Sequence, residues 1–298
     1  MSQPSTPPRL RVAVVGAGRV GTVLAAALER AGHTILAGYA LSERSKRQAA
    51  ALIPEVRLLP EVDAVVQGAD LVLLTVPDDV LSGVVEGLAG REVIAPGAFV
   101  VHTSGAHGAA VLDPLARGGA LAMAIHPAMT FTGSTIDLAR LAGCSFGVTA
   151  PEPLLPVAQT LVVEMGGEPV VIAEEMRPLY HAALASGANH LVTLVATAMD
   201  LLERAGVERP AHLLGPLLGA ALDNTLRKGD AALTGPVARG DAGTVSSHLS
   251  VLASAAPETL PAYIALARLT ADRAMASGRL DAATAAELLD VLSDQART

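Results

Sequence analysis

One short stretch limits what this chain can become. The apolar run Val12–Val15 leads directly into Gly16-Ala17-Gly18-Arg19-Val20-Gly21, and an alanine- and leucine-rich helical pattern continues to about Gly32. A strand, a glycine turn and a helix in this order form the opening unit of a dinucleotide-binding fold. Gly16 permits the tight turn, Gly18 lets backbone approach a pyrophosphate, and Gly21 lets the helix pack close to the strand. Arg19 and Val20 fall in the first helical turn, where a phosphate meets the positive end of the helix, and they join the three glycines as candidate cofactor residues. An ordinary glycine-rich strand–helix turn is the plainer alternative.

The pattern that follows agrees with the motif. Strands are expected at Val12–Val15, Ile35–Tyr39, Leu71–Val76, Phe99–His102 and Leu121–Ile125, with two more at Cys144–Thr149 and Pro169–Ile172 flanking a helix from about Pro151 to Gly166. Strands alternating with helices give a doubly wound, parallel Rossmann sheet in an α/β chain. Beyond Glu174 the pattern becomes purely helical: Met176–Arg204, Ala211–Lys228, Thr244–Ala255, Pro257–Ser277 and Asp281–Gln295, punctuated by Pro210, Gly229 and Gly278. Residues 1–9 are expected to be a disordered tail, 10–173 the dinucleotide-binding domain, and 174–298 a helical substrate and dimerisation domain.

Composition narrows the function. A hydrophobic content of 51% raises the question of a membrane, but no uninterrupted apolar run reaches the roughly 18 to 20 residues of a span. The nearest stretch, Leu191–Leu202, contains Asp200 and reads as a buried core helix in a cytoplasmic protein. The single cysteine, Cys144, excludes an internal disulfide framework and reads as a buried structural thiol. A net charge of -8, scattered arginines and only 2% aromatic residues argue against nucleic acid as a partner. No histidine pair has the spacing of a metal helix, so no metal is expected.

Four strand ends and the long helix add candidate residues. The second strand runs into Tyr39-Ala40-Leu41-Ser42-Glu43-Arg44-Ser45, with no carboxylate where NAD-preferring sites hold the ribose. Ser42, Arg44 and Ser45 suit a 2'-phosphate, so NADP is the expected cofactor, although Ser42 also fits a helix N-cap followed by a solvated charge run. Val76-Pro77 and Thr103-Ser104 border the same crevice or are turn chemistry. His126, in Ile125-His126-Pro127, is a candidate proton donor to a carbonyl or a satisfied structural histidine. His181 and Asn189, four-residue steps apart through Ala185 on the long helix, are candidate substrate contacts or polar packing residues. The apolar length of that helix further implies a homodimer formed by the helical domain.

Together these motifs resemble a bacterial Rossmann-like family that joins a cofactor domain to a helical domain of the 6-phosphogluconate dehydrogenase type. The resemblance spans nearly the whole chain and adds Tyr180-His181-Ala182-Ala183, Ala188-Asn189 and Leu233-Thr234-Gly235-Pro236-Val237-Ala238-Arg239-Gly240-Asp241 to the motifs above. Some relatives resemble an alternative class of ketopantoate reductase, which implies NADPH reducing a small 2-oxo acid in a cleft between domains. His126 would then act as acid or orienting group, Asn189 would hold the carbonyl oxygen, and Arg239 would clamp a carboxylate. Arg239 also fits a plain loop arginine ahead of the helix cap Asp241. The chain departs from the usual enzymes of that superfamily, because Ala185 stands where they carry a helix lysine four residues before the asparagine. Ile125-His126-Pro127 also resembles the His-Pro motif of prephenate and arogenate dehydrogenases, and a non-catalytic NADP-binding sensor is a further alternative.

Overall fold

The computed structural model describes residues 9–294, which divide into two compact units at Ala188/Asn189. Most of the expected tail therefore lies outside the described residues, as does Gln295. Arg9 is described, and its guanidinium stands 3.6 Å from Glu164.

The first unit is built on an eight-stranded sheet: β1 (Arg11–Val15), β2 (Thr34–Tyr39), β3 (Arg57–Leu58), β4 (Leu71–Leu74), β5 (Phe99–His102), β6 (Leu121–Pro127), β7 (Ser145–Thr149) and β8 (Glu168–Val171). Their spatial order is β3-β2-β1-β4-β5-β6-β7-β8. The expected α/β class and mostly parallel sheet are present, with one departure. β7 pairs antiparallel with β6, and β8 then runs parallel to β7. The two-residue edge strand β3, absent from the sequence reading, is too short to carry a period.

Both faces of the sheet are apolar, as a sheet covered by helices on both sides requires. Val12, Val14, Leu71 and Leu73 pack into one cluster, and Ala13, Val15, Val72 and Leu74 into the other, so alternate residues of a continuous apolar run serve opposite layers. Cys144 is 8% exposed in the first of these clusters, which suits the structural role expected of it. β4 stops at Leu74 instead of reaching Val76, because Thr75 turns its hydroxyl to donate to the Gly16 carbonyl at 2.7 Å. In front of β4, Asp70 accepts from Arg11 at 2.8 Å, and this hydrogen-bonded guanidinium holds its carboxyl down at about 2.

The second unit carries the helices His190–Arg204, Pro210–Lys228, Ala242–Ala255, Leu260–Ala276 and Ala282–Asp294. Pro210 opens its helix, while Gly229 and Gly278 take positive φ at the ends of theirs. The core is built by the last three: Val245, Leu249, Ile264, Ala271, Leu288 and Leu292 are buried together. His190–Arg204 does not behave as the expected buried core helix. It has no buried residue among those described, and Leu191, Val192 and Leu194 are 40%, 70% and 48% exposed. Within its own unit, the described residues supply no layer that buries it. The helical stretch Glu174–Arg204 is long and apolar enough to cross a membrane by length and composition.

Candidate functional site

The glycine motif forms a cradle at the carboxyl end of β1, where the strand order reverses between β1 and β4. Gly16 sits at φ +98°, and a Cβ there would lie 2.7 Å from the Thr75 carbonyl. At Gly21 a Cβ would collide with the Thr75 hydroxyl and the Gly16 carbonyl, so this glycine sets how closely the helix Arg19–Arg30 approaches the strands. Gly18 has open space, its nearest side-chain neighbour being the Ser45 hydroxyl at 3.7 Å. Gly18 is the helix N-cap without a side-chain hydrogen bond, and the first turn holds no acid. The amides of Arg19, Val20 and Gly21 therefore end the helix without intrahelical partners, the arrangement that receives a phosphate. The cradle fits a dinucleotide pyrophosphate.

At the end of β2, Ser42 is the N-cap of the helix Glu43–Leu52: the Ser45 amide donates to its hydroxyl at 3.1 Å, and the two hydroxyls are 2.9 Å apart. Glu43 pairs with Lys46 at 2.8 Å. The capping alternative is thus realised, and Ser45 also faces Gly18. Arg44 is exposed. Pro77 caps the helix Asp78–Gly90 after Val76. Thr103 is half-buried and its amide continues the ladder to the Leu74 carbonyl. The Ser104 hydroxyl accepts from the amides of Ala106 and His107 at 3.2 Å, so its side chain is committed to a turn.

Three further side chains gather at the end of β6. His126 Nδ1 is 2.9 Å from the Tyr180 hydroxyl, and its ring stands edge-on to both Tyr180 and His181, with centroids 5.6 and 6.4 Å away. Glycines make this approach possible. A Cβ on Gly147, which pairs with His126 across β6 and β7, would lie 2.7 Å from the Tyr180 hydroxyl. A Cβ on Gly105 would lie 2.8 Å from His181 Cδ2 and 3.0 Å from His126 Nε2. Burial, assisted by the nearby Arg177 cation and by His181, pushes His126 down to about 4, so its imidazole is neutral near pH 7.

Arg177 was not among the expected site residues. It is fully buried, and its guanidinium donates to Thr149 Oγ1 at 2.7 Å and to the carbonyls of Ser104, Ala124 and Gly147 at 3.4, 3.1 and 3.0 Å. These acceptors follow β5, lie within β6 and lie within β7, so one side chain ties three strand segments together beneath Tyr180, whose ring centroid is 5.7 Å from the guanidinium carbon. The available signal was its spacing: Arg177, Tyr180 and His181 stand at i, i+3 and i+4 of one helix. His102 is likewise structural. Its Nδ1 accepts from the Ser104 amide, which leaves Nε2–H to donate to the Gly108 carbonyl at 2.8 Å, and burial lowers it to about 4.

The structure brings His126 and His181 together in the first unit, whereas Asn189 and Arg239 belong to the second. Asn189 ends a π-helical turn, Ala185–Asn189, which takes it off the simple four-residue row through Ala185. Arg239 is exposed in a 3-10 turn, and Asp241 caps the next helix by accepting from the Thr244 amide at 3.0 Å, as the plain loop alternative has it.

With this geometry in view, a model of the Rossmann-like domain matches residues 1–127, and a model of a domain of unknown function, DUF2520, matches residues 144–270. No curated relative matches the sequence. Among solved structures, a candidate NADP oxidoreductase from Bacteroides fragilis is similar at 22% identity and a TM-score of 0.75, over 89% of this chain and 98% of that one. A protein from Thermotoga maritima is similar at 22% identity and a TM-score of 0.67, over 89% and 99%. Prephenate dehydrogenase from Aquifex aeolicus, solved with hydroxyphenyl propionate and NAD+, follows at 19% identity and a TM-score of 0.51, over 67% and 70%. These likenesses establish the shared fold.

Proposed function

We propose that this protein is an NADP-dependent oxidoreductase that reduces a small 2-oxo acid or related carbonyl. One observation carries the reading: the phosphate cradle at β1 and the His126–Tyr180 pair at β6 stand at the carboxyl ends of parallel strands of one sheet, where such folds bind ligands. NADPH, when bound, supplies the hydride. The chain's part is to hold the carbonyl and deliver a proton to its oxygen. His126, neutral near pH 7, serves as a hydrogen-bond donor through Nε2–H while Nδ1 accepts from the Tyr180 hydroxyl. Either role expected of His126, acid or orienting group, is open to this neutral imidazole through its Nε2–H. Burial raises the Tyr180 phenol above its usual range, so it keeps its proton near pH 7 and can replace at Nδ1 a proton that Nε2 gives to the reduced carbonyl oxygen, while the adjacent Arg177 cation partly opposes the rise.

The test is a titration with NADPH and NADH, followed by turnover with ketopantoate, other branched 2-oxo acids, simple aldehydes, and prephenate with NADP. NADPH consumption with 2-oxo acids is the expected result. Turnover of prephenate alone would assign the oxidative reaction instead, and tight NADPH binding without any turnover would assign a sensor.

A further inference from the structure

Among the described residues, Asp137 is the single fully buried carboxylate, and it stands in the helix Thr135–Leu141 that follows β6. Its oxygens accept from the amides of Thr132, Gly133 and Ser134 at 2.8, 2.7 and 3.3 Å and from the Thr132 hydroxyl at 3.0 Å, with the Arg140 guanidinium 4.0 Å away. Burial by itself would raise this carboxyl, but the hydrogen bonds from Gly133, Thr132 and Ser134 outweigh it and hold the group below the usual carboxylate range. An acid at the third position of a helix ordinarily reaches back only to the N-cap amide, which accounts for the bond from Ser134. The bonds from Thr132 and Gly133 lie ahead of the helix. A buried charge is therefore spent on the shape of a turn, and a charge taken out of water is costly unless its bonds are all made.

That turn packs against the phosphate cradle. Gly133 sits at φ +79°, and a Cβ there would collide with the side-chain amide of Gln48 and lie 2.9 Å from Arg19 Cγ. Gln48 Nε2 also stands 3.5 Å from the Thr132 carbonyl. Arg19 opens the helix Arg19–Arg30, and Gln48 lies three residues after Ser45, the residue that faces Gly18. Behind the turn the chain is pinned back to β6: the Ala128 amide donates to the Ser145 carbonyl at 2.9 Å, and Phe131 is buried in the core. Gly133 backbone thus closes one side of the Arg19 stem. The exposed guanidinium is left beside the positive end of its own helix, whose first turn holds no acid, a place that suits a cation only when an anion joins it.

We propose that the turn Thr132–Ser134, set by Asp137, is a third wall of the cofactor site and holds the Arg19 side chain in place to pair with the dinucleotide pyrophosphate. Asp137 is then a positioning residue that acts through Arg19 and touches no cofactor itself. The inference rests on the cofactor reading above. Its signature is indifference to the 2'-phosphate. Both dinucleotides carry the pyrophosphate, so loss of the wall weakens NADPH and NADH alike, whereas loss of Arg44 weakens NADPH alone.

Calorimetric titration of the full chain with NADPH and with NADH tests it. Asp137→Asn keeps the volume and removes the charge, and it should weaken both dinucleotides by about tenfold, as Arg19→Gln should, since each removes one charge-assisted contact. Adding Asp137→Asn to Arg19→Gln should cost less than about twofold more, because the two residues act through one contact. Circular dichroism follows folding. If Asp137→Asn fails to fold, Gly133→Ala displaces the turn without touching the carboxylate, and the same losses and the same lack of additivity are expected of it. An Asp137→Asn chain with a lowered unfolding midpoint but unchanged affinities overturns the proposal, as do losses confined to NADPH or losses that add in full in the double variant. Wild-type chain that binds neither dinucleotide overturns the cofactor reading together with the wall. Tight wild-type binding with unchanged variants overturns the wall alone.

Discussion

The sharpest consequences lie in single atoms. Gly105 has no room for a methyl group beside His126 Nε2 and His181 Cδ2, so Gly105→Ala should push both rings from their places. Turnover is expected to fall by about 10- to 100-fold, with NADPH affinity retained because the phosphate cradle is built by other residues. His126→Ala removes the proposed hydrogen-bond donor itself, and loss of such a donor costs on the order of 10² to 10³ in rate. Steady-state kinetics beside a fluorescence titration of NADPH separates the two effects, and a parallel loss of cofactor affinity would contradict the assignment. At the other end of the crevice, Arg44→Ala should lower NADPH affinity by at least tenfold and leave NADH affinity unchanged, since a charge-assisted contact is worth roughly 1.5–3 kcal/mol. The glycine cradle was legible from residues 12–32, because strand, glycine turn and helix follow one another locally and the backbone leaves no room for a side chain at Gly16 and Gly21. Gly105 and Gly147 were not legible, because the atoms that exclude a side chain there come from residues distant in sequence.

At the scale of elements, Arg177 joins the start of the long helix to β6, β7 and the turn after β5. Arg177→Met keeps most of the volume and removes every donor, and it should cost about 3 kcal/mol as buried carbonyls lose their partner. Thermal unfolding would then fall by roughly 6–12 °C. Arg177→Lys retains the charge but loses the planar fork, so it should recover only part of that loss. An unchanged midpoint for Arg177→Met would mean that the guanidinium is not what holds these strands. Strands and helices were themselves readable from apolar runs, prolines and glycines, and even the end of β4 was missed by two residues only. The antiparallel turn of β7 was not readable, since a strand buried on both faces carries the same apolar run in either direction.

For the whole molecule, two buried histidines set the response to acid. His102 and His126 stand near 4 in the folded chain against about 6.5 when unfolded, so between those values the unfolded state binds more protons. Stability is complete above about pH 6.5 and declines as pH falls towards 4. The unfolding midpoint should therefore drop steadily over that window, and His126→Ala should flatten the slope. NADPH at a hundred times its dissociation constant should raise stability by about 2.7 kcal/mol if it binds only the folded chain.

The sequence by itself determined the local matters: a strand, glycine turn and helix that make a dinucleotide cradle, the alternation that makes a mostly parallel α/β sheet, and the helical remainder. Those depend on residues near one another in the chain, where backbone freedom, periodicity and caps act directly. Only the tertiary structure decided which side chains meet at the end of β6, that a buried arginine underlies them, that His126 is neutral, and that His190–Arg204 and Pro210–Lys228 bury so little within their own unit. Each of these depends on groups far apart in sequence, and on whether water or protein surrounds them, which no pattern along a single segment records.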